Sequence, residues 1–350
     1  MAPSGLMAKR DERLPGRRPQ RPQRPLLLAL LVIVAACSSS DPRASVRLRD
    51  LVTAAGMQAL PVADSQDPAQ VALGRMLFFD PILSGARDIS CSTCHHPEHG
   101  GSDGRGLSVG TEAVRTDGGP RLPGPDHTFA SRNAIALWDV GAAAVRVGFW
   151  DARIERQADG KLVLYDTGYD SSGQLRIEVP EAASTIAAAV ALFPVLDRDE
   201  MRGEWGRDDI DGNPNELAMI IDSDFEAVWR GLMARLQTVE AYRELFAEAF
   251  PGHEFGELQF AHAASAIGSF LAESFASNRP GSRPAWDAFL AGDDGALNES
   301  EARGGLLFYG RAGCVTCHAG ELMSDQDSHN LAVRPIGIGA KNDDVDVDLG

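Results

Sequence analysis

No apolar run in this sequence is long enough to cross a bilayer. The longest, Leu26 to Ala36, is 11 residues, against the roughly 18 or more that a spanning helix needs, so a multi-span membrane protein is excluded. Positive charge is also short. The chain of 350 residues has 33 Lys and Arg against 50 Asp and Glu, a formal net charge of −17. The deficit is uneven: residues 1–36 hold seven basic side chains (Lys9, Arg10, Arg13, Arg17, Arg18, Arg21, Arg24) and two acids (Asp11, Glu12), a net of +5, so the remainder carries −22. An acidic body repels phosphate backbones, which argues against nucleic acid and for a small basic protein as partner. Wholesale disorder and collagen-like structure are excluded by a composition that is 44% apolar and 24% charged. Cysteine is scarce, with five residues, and each falls in a pattern.

The first pattern is an address. A basic stretch, the apolar run, and then Val34-Ala35-Ala36-Cys37 before Ser38-Ser39-Ser40 follow the layout of an export signal rather than of a buried core helix. Val34 to Cys37 resembles the bacterial lipobox, in which the cysteine is acylated and becomes the mature N-terminus. The expectation is a lipoprotein signal peptide over 1–36, a lipid anchor at Cys37 as the single membrane attachment, and a polar tether over 37–65. Arg17-Arg18 is a weak twin-arginine signal.

The other four cysteines form two copies of one motif, Cys91-Ser92-Thr93-Cys94-His95 and Cys314-Val315-Thr316-Cys317-His318. Cys-x-x-Cys-His is the attachment signature of c-type haem. Two thiols one helical turn apart both reach the vinyl groups on one haem edge, and the following histidine offers a nitrogen to the iron. Three alternatives compete. A zinc site of two knuckles has no use for the histidines and must join pairs 220 residues apart. Redox dithiols leave both histidines unexplained. A disulfide across two intervening residues is tight. Two covalent haem c groups are therefore expected, and attachment outside the cytoplasm agrees with export to the periplasm.

The motifs have similar surroundings, as in an internal duplication. Gly74-Arg75-Met76-Leu77-Phe78-Phe79 precedes one, and Gly304-Gly305-Leu306-Leu307-Phe308-Tyr309 the other; Asp103 follows His95 by eight residues, and Asp325 follows His318 by seven. Periodic apolar residues from Leu217 to Leu236 predict a helix within Asn215–Phe250, stopped by Pro251-Gly252, and a second amphipathic helix runs from Leu258 to Phe275. Leu162–Tyr165 and Leu175–Val179 flank a Gly/Asp/Ser turn and predict one β-hairpin. The fold class is thus mainly α: two cytochrome c-like haem domains, over 66–250 and 251–350, with a small β-hairpin insertion.

From about Pro68 to the end, the chain resembles the bacterial dihaem cytochrome c peroxidases and their MauG-type relatives. The resemblance is carried by Leu77-Phe78-Phe79-Asp80-Pro81, Ile89-Ser90, Arg132-Asn133-Ala134 (with Ile135 where the family has proline), Phe149-Trp150-Asp151-Ala152-Arg153 (with Ala152 where it has glycine) and Asp199-Glu200-Met201. It implies reduction of hydrogen peroxide to water, with electrons from a small cytochrome c or copper protein. The first haem (His95) would be the peroxidatic site and the second (His318) the electron-entry site. Trp150 would lie on the path between them, although a core aromatic is its other reading, since Trp138 sits in a similar Trp-Asp pair. Glu200 would be the acid–base group that moves the peroxide proton; otherwise it is one acid of a solvated loop. Ser108-Val109-Gly110-Thr111 aligns with the family's Ser-Ile-Gly-His, so the distal histidine is missing and His127 is the nearest substitute. With no histidine on this iron the site would be open without reductive activation. Calcium is implied at Asn133, and a homodimer by the family's habit. Only 32 residues follow His318, so the C-terminal domain reads as incomplete, without its sixth haem ligand; Met323 is too close to His318 to wrap around the ring. A MauG-type oxidase acting on a partner protein and a non-catalytic dihaem electron carrier are the competing functions.

Overall fold

The computed structural model describes residues 43–115, 119–130, 132–166 and 175–331. The expected signal peptide, Cys37, the tip of the predicted hairpin and the acidic C-terminal segment lie outside them. In chain order the main elements are α1 (Ala44–Ala54), α2 (Pro68–Phe79), α3 (Cys91–Cys94), β1 (Val114–Arg115), β2 (Arg121–Leu122), β3 (Val147–Gly148), β4 (Ile154–Arg156), β5 (Leu162–Asp166), β6 (Leu175–Glu178), α4 (Ile186–Val190), α5 (Phe225–Gln237), α6 (Glu240–Ala249), α7 (Phe260–Ser274), α8 (Ala285–Leu290) and α9 (Glu299–Leu306). The chain is mostly helical.

The larger core is built on the crossing of α2 and α7. Asp67 caps α2 by accepting from Ala69 and Gln70 N–H, Pro68 occupies the first turn, and the helix stops before Pro81. Leu73, Leu77 and Phe78 meet Ala263, Ala266, Ile267 and Phe270. The backbones touch at Gly74, where a Cβ would stand 1.9 Å from the Ala266 carbonyl oxygen. Helices α5 and α6 close this core with Leu232, Leu236, Tyr242 and Phe246, and the Tyr242 hydroxyl donates to Asp80 at 3.0 Å.

The smaller core joins the two ends of the described chain. Leu48 and Val52 of α1 pack with Phe289, Ala302 and Tyr309, and Leu48 fills the space left by Gly305, whose Cβ would stand 2.6 Å from its Cδ2. Two expectations are corrected here. Residues 44–54 are not tether but a helix of the second core, because Leu48, Leu51 and Val52 form an apolar stripe at helical spacing within an otherwise polar stretch. The boundary at 250/251 also moves: α7 buries its apolar face on α2 and belongs to the first core.

The segment Asn215–Phe250 is two helices preceded by a loop. Asn215 is buried, accepts from the backbone of Leu217 and Ala218, and donates to the Arg202 carbonyl, so it holds the chain in a turn instead of starting a helix. Asp224 then caps α5. The predicted hairpin is present as β5 and β6, antiparallel with Leu164 opposite Ile177. It is the outer half of a four-stranded sheet ordered β3-β4-β5-β6, whose first two strands are too short to show alternation.

Candidate functional site

Both Cys-x-x-Cys-His segments close one helical turn. His95 N–H donates to the Cys91 carbonyl at 2.9 Å and His318 N–H to the Cys314 carbonyl at 3.0 Å, which brings the first cysteine and the histidine onto one side of the turn. The first turn is held by Ser90, whose N–H donates to Thr93 Oγ1 at 3.1 Å. His95 Nδ1 bonds the carbonyls of Gly101 (2.8 Å) and Ile135 (3.1 Å), and His318 Nδ1 bonds the carbonyl of Met323 (3.0 Å). A carbonyl only accepts, so Nδ1 carries the proton in each ring and Nε2 keeps its lone pair for a metal. Burial also holds the His95 ring below its ordinary pKa, in the neutral form a ligand needs.

The accepting carbonyls reveal a longer repeat than the motif itself. Gly101 and Met323 both have left-handed backbones, with φ +78° and +53°. Each is followed by Ser-Asp, and the aspartate accepts the N–H two residues on: Arg105 to Asp103 at 2.9 Å, Asp327 to Asp325 at 3.1 Å. The shared Ser-Asp, offset by one residue, was the available sequence signal. With its carbonyl on the proximal histidine, Met323 belongs to the proximal side of the second site.

Burial pushes the Cys91 thiol up to about 12, and burial with the Asp103 and Glu200 charges pushes Cys94 up to about 11. Neither suits a reactive thiolate, whereas a neutral thioether fits. The four described cysteines form no disulfide. Among the described residues, the single cluster of three metal-binding side chains is Cys317, Asp325 and His329, so the two cysteine pairs do not converge on one zinc. Two thiols, a histidine with a free Nε2 and a fixed ring orientation, twice over, fit two c-type haems.

Glu200 sits on a single wide turn, Arg198–Arg202, capped by Asp197, which accepts Glu200 N–H at 2.9 Å. The loop Ser108–Thr111 presses on this turn: Thr111 N–H donates to the Glu200 carbonyl at 2.8 Å, and a Cβ on Gly110 would stand 1.9 Å from the Asp199 carbonyl oxygen. The Glu200 side chain is accessible to solvent, yet protein surrounds it closely enough that desolvation, aided by the Asp197 and Asp199 charges and opposed by Arg153, pushes its carboxyl up to about 7. Its charge is felt at Cys94, on the side of the first haem segment.

Trp150 is 46% exposed rather than a core aromatic. The Arg132 guanidinium lies 4.2 Å from its ring centre. It lines a cavity of about 290 Å³ with Phe149, Gln326, Asp327 and His329, the last three from the segment after His318. Arg146 clamps the same segment, donating to Gln326 Oε1 at 2.7 Å and to the Asp325 carbonyl at 2.8 Å. Trp150 therefore stands between the loop that bonds His95 and the loop that bonds His318. Trp138 packs edge-on against Phe275 at 5.9 Å beside the end of α7.

His127 does not have the geometry of an iron ligand. Its Nε2 lies 2.8 Å from Glu112 Oε2 and its Nδ1 3.1 Å from Asp199 Oδ1, so neither nitrogen is free. Thr111, at the family's distal histidine position, is 1% exposed and donates to Asp88 at 2.6 Å. Asn133 accepts from Ser102 Oγ at 3.3 Å, and no cluster of carboxylates is gathered around it among the described residues.

The profile of the family described as di-haem cytochrome c peroxidase matches residues 68–295, ending before the second motif. The methylamine utilization protein MauG of Methylorubrum extorquens is 27% identical over 274 residues, 78% of this chain and 56% of that protein. The cytochrome-c peroxidase IdrP2 of Denitromonas iodatirespirans is 27% identical over 281 residues, 80% of this chain and 55% of that protein. The chain thus spans somewhat over half the length of these relatives. A crystal structure of a MauG-like protein associated with microbial copper homeostasis is 23% identical, with a TM-score of 0.46 over 80% of this chain and 63% of that one.

Proposed function

The chain belongs to the di-haem cytochrome c peroxidase family, a family of oxidoreductases, and from that premise we propose that it reduces hydrogen peroxide to water in the periplasm, taking electrons from a small cytochrome c or copper protein. Cys91, Cys94 and His95 would hold one haem and Cys314, Cys317 and His318 the other, in two cytochrome c-like domains. Bound haem supplies the iron that takes up peroxide and the electrons that break its O–O bond.

The chain's own contribution is proton movement. Breaking the bond requires a proton to leave the oxygen nearer the iron and reach the farther one, which departs as water. A Glu200 carboxylate oxygen would take the proton of one peroxide oxygen and return it to the other; two further protons from solvent and two electrons from the donor then complete two waters per peroxide. The observation that carries the reading is the turn that holds Glu200, capped by Asp197 and pressed by Gly110 and Thr111; a carboxyl pushed up to about 7 there both accepts and releases a proton near neutrality. Trp150, stacked under Arg132 between the two segments, would pass electrons from the second site to the first. The anchor at Cys37 would keep the enzyme at the membrane, as a homodimer.

Glu200→Gln in the haem-loaded protein tests the proposal. Loss of a positioned acid–base group costs on the order of 10²- to 10⁴-fold, with both Soret bands retained. Unchanged turnover would refute the acid–base role of Glu200, whereas a wild type without turnover and with two six-coordinate low-spin irons would be a dihaem electron carrier. Relatives named MauG keep a second reading open, oxidation of residues on a partner protein; it predicts that peroxide is consumed with a partner protein present and without a cytochrome donor.

A further inference from the structure

The imidazole of His127 is sealed inside the protein, its side chain 2% exposed, between two carboxylates from different segments. Carboxylates only accept, so two bonded ring nitrogens both donate, which only the protonated ring does. Burial opposes that charge, but the bonds and charges of Glu112 and Asp199 outweigh it and hold the ring above its ordinary pKa.

Its partners secure both ends of the turn that carries Glu200. On one side Asp199 also accepts from the backbone and hydroxyl of Thr128, each at 3.0 Å. On the other, Glu112 accepts Glu204 N–H at 3.2 Å and is fixed through its own N–H to Asp88 at 2.8 Å. Gly203, with φ +83°, passes so close that a Cβ would stand 2.5 Å from Glu112 Oε1. The turn is thus held before Glu200 at Asp199 and after it at Glu204, and one side chain joins the two attachments.

We propose that His127 is a positioning residue: it clamps residues 198–204 onto residues 108–112 and 124–128 and so fixes the Glu200 carboxyl over the first haem site in the oxidised protein. The proposal rests on the reading of Glu200 given above. In this chain the loop at the family's distal histidine position serves as the floor under the acid–base group, with Thr111 bonded to Asp88 and to the Glu200 backbone. The site is then ready for peroxide without a reductive rearrangement.

The test compares the haem-loaded wild type with His127→Gln, Glu112→Gln, Glu200→Gln and the double variant His127→Gln/Glu200→Gln. Hydrogen exchange reads the clamp directly. Amides of 198–204 and 108–112 should exchange at least tenfold faster in His127→Gln and Glu112→Gln, while those of α2 and α7 stay at wild-type rates. Unchanged exchange in the turn would overturn the proposal, whatever Glu200 does. Turnover reads the consequence: His127→Gln should lower kcat at least tenfold, leave KM for the donor unchanged, and cost nothing further in the Glu200→Gln background. An equal loss in both backgrounds would make His127 merely structural and overturn the positioning role. Should Glu200→Gln itself turn over normally, the acid–base reading fails, while the exchange arm still decides whether His127 holds the turn.

Discussion

Adding one methyl group at Gly110 provides a sharp test of how Glu200 is held. A Cβ there would stand 1.9 Å from the Asp199 carbonyl oxygen, 2.4 Å from that of Glu200 and 2.8 Å from the Glu200 Cα. Carbon and oxygen in contact need more than 3 Å, and all three obstacles are backbone, so no side chain can swing away. The loop and the turn must part by an ångström or more. Forced overpacking costs about 1–3 kcal/mol. The Thr111–Glu200 backbone bond at 2.8 Å is stretched with it, a further 0.5–1.5 kcal/mol or so. Gly110→Ala should therefore lose roughly 2–4 kcal/mol, lowering the melting point by about 5–15 °C for a unit of this size. A carboxyl displaced by about 1 Å should lose on the order of 10²-fold in kcat. Gly106→Ala is the control, since nothing lies within 4 Å of its Cβ, and it should stay within about 0.5 kcal/mol of wild type. Denaturation and peroxide turnover of the haem-loaded variants decide the matter. Equal midpoints and equal rates for the two alanine variants would show that the loop does not support the turn.

Three further outcomes are expected. Glu200 holds its proton to about pH 7 instead of 4.5, so the folded protein binds that proton more tightly than the unfolded chain does. Stability from this group falls as pH rises from 4.5 through 7, and turnover gains a limb near pH 7 where the base form appears; both should vanish in Glu200→Gln, and a surviving limb would assign the base elsewhere. Ala152 has φ +54°, a conformation costing a side-chain-bearing residue about 1–2 kcal/mol. After the greater chain entropy of glycine, about 0.5–1 kcal/mol, Ala152→Gly should gain up to about 1 kcal/mol in urea denaturation, and a net loss would refute the strain argument. Leu48 is fully buried against the second core, so Leu48→Ala should cost about 2–5 kcal/mol and release the second haem's spectrum before the first; a wild-type melt would return α1 to a tether.

The helices that could be read from the sequence were those whose apolar stripe met no competing polar contact. Helix α7 was read to within two residues at its start because Phe260, Ala263, Ala264, Ile267 and Leu271 all face the same core. The stretch before α5 carried the same stripe, with Leu217 and Ile220, yet one buried asparagine bonded to its own backbone turned it into a loop. Helix α1 escaped notice because only Ala44, Leu48 and Val52 are buried, and the residues that cover them, Phe289, Ala302 and Tyr309, lie some 250 residues away. Periodicity reports which face is apolar. It does not report what lies opposite, so the boundary between the two cores could not be placed from it.

At the candidate site, the departures from the family pattern become intelligible once each position is assigned to backbone or side chain. Ile135 stands where the family has proline, but its task is performed by its carbonyl on His95 Nδ1 at 3.1 Å, and its side chain is 40% exposed. The substitution leaves that bond in place. Ala152 keeps the left-handed turn that glycine would adopt freely, and the neighbouring Asp151–Arg153 pair at 2.9 Å encloses it. Thr111 is the departure that changes chemistry. A side chain that is 1% exposed and bonded to Asp88 cannot swing to an iron, and the structural demand passes to Gly110, which must be small, and to His127, which must bridge two acids. A motif search finds residues whose side chains do the chemistry. Residues that act through a carbonyl, a missing Cβ or a buried ion pair become visible only when the two segments they join are seen together.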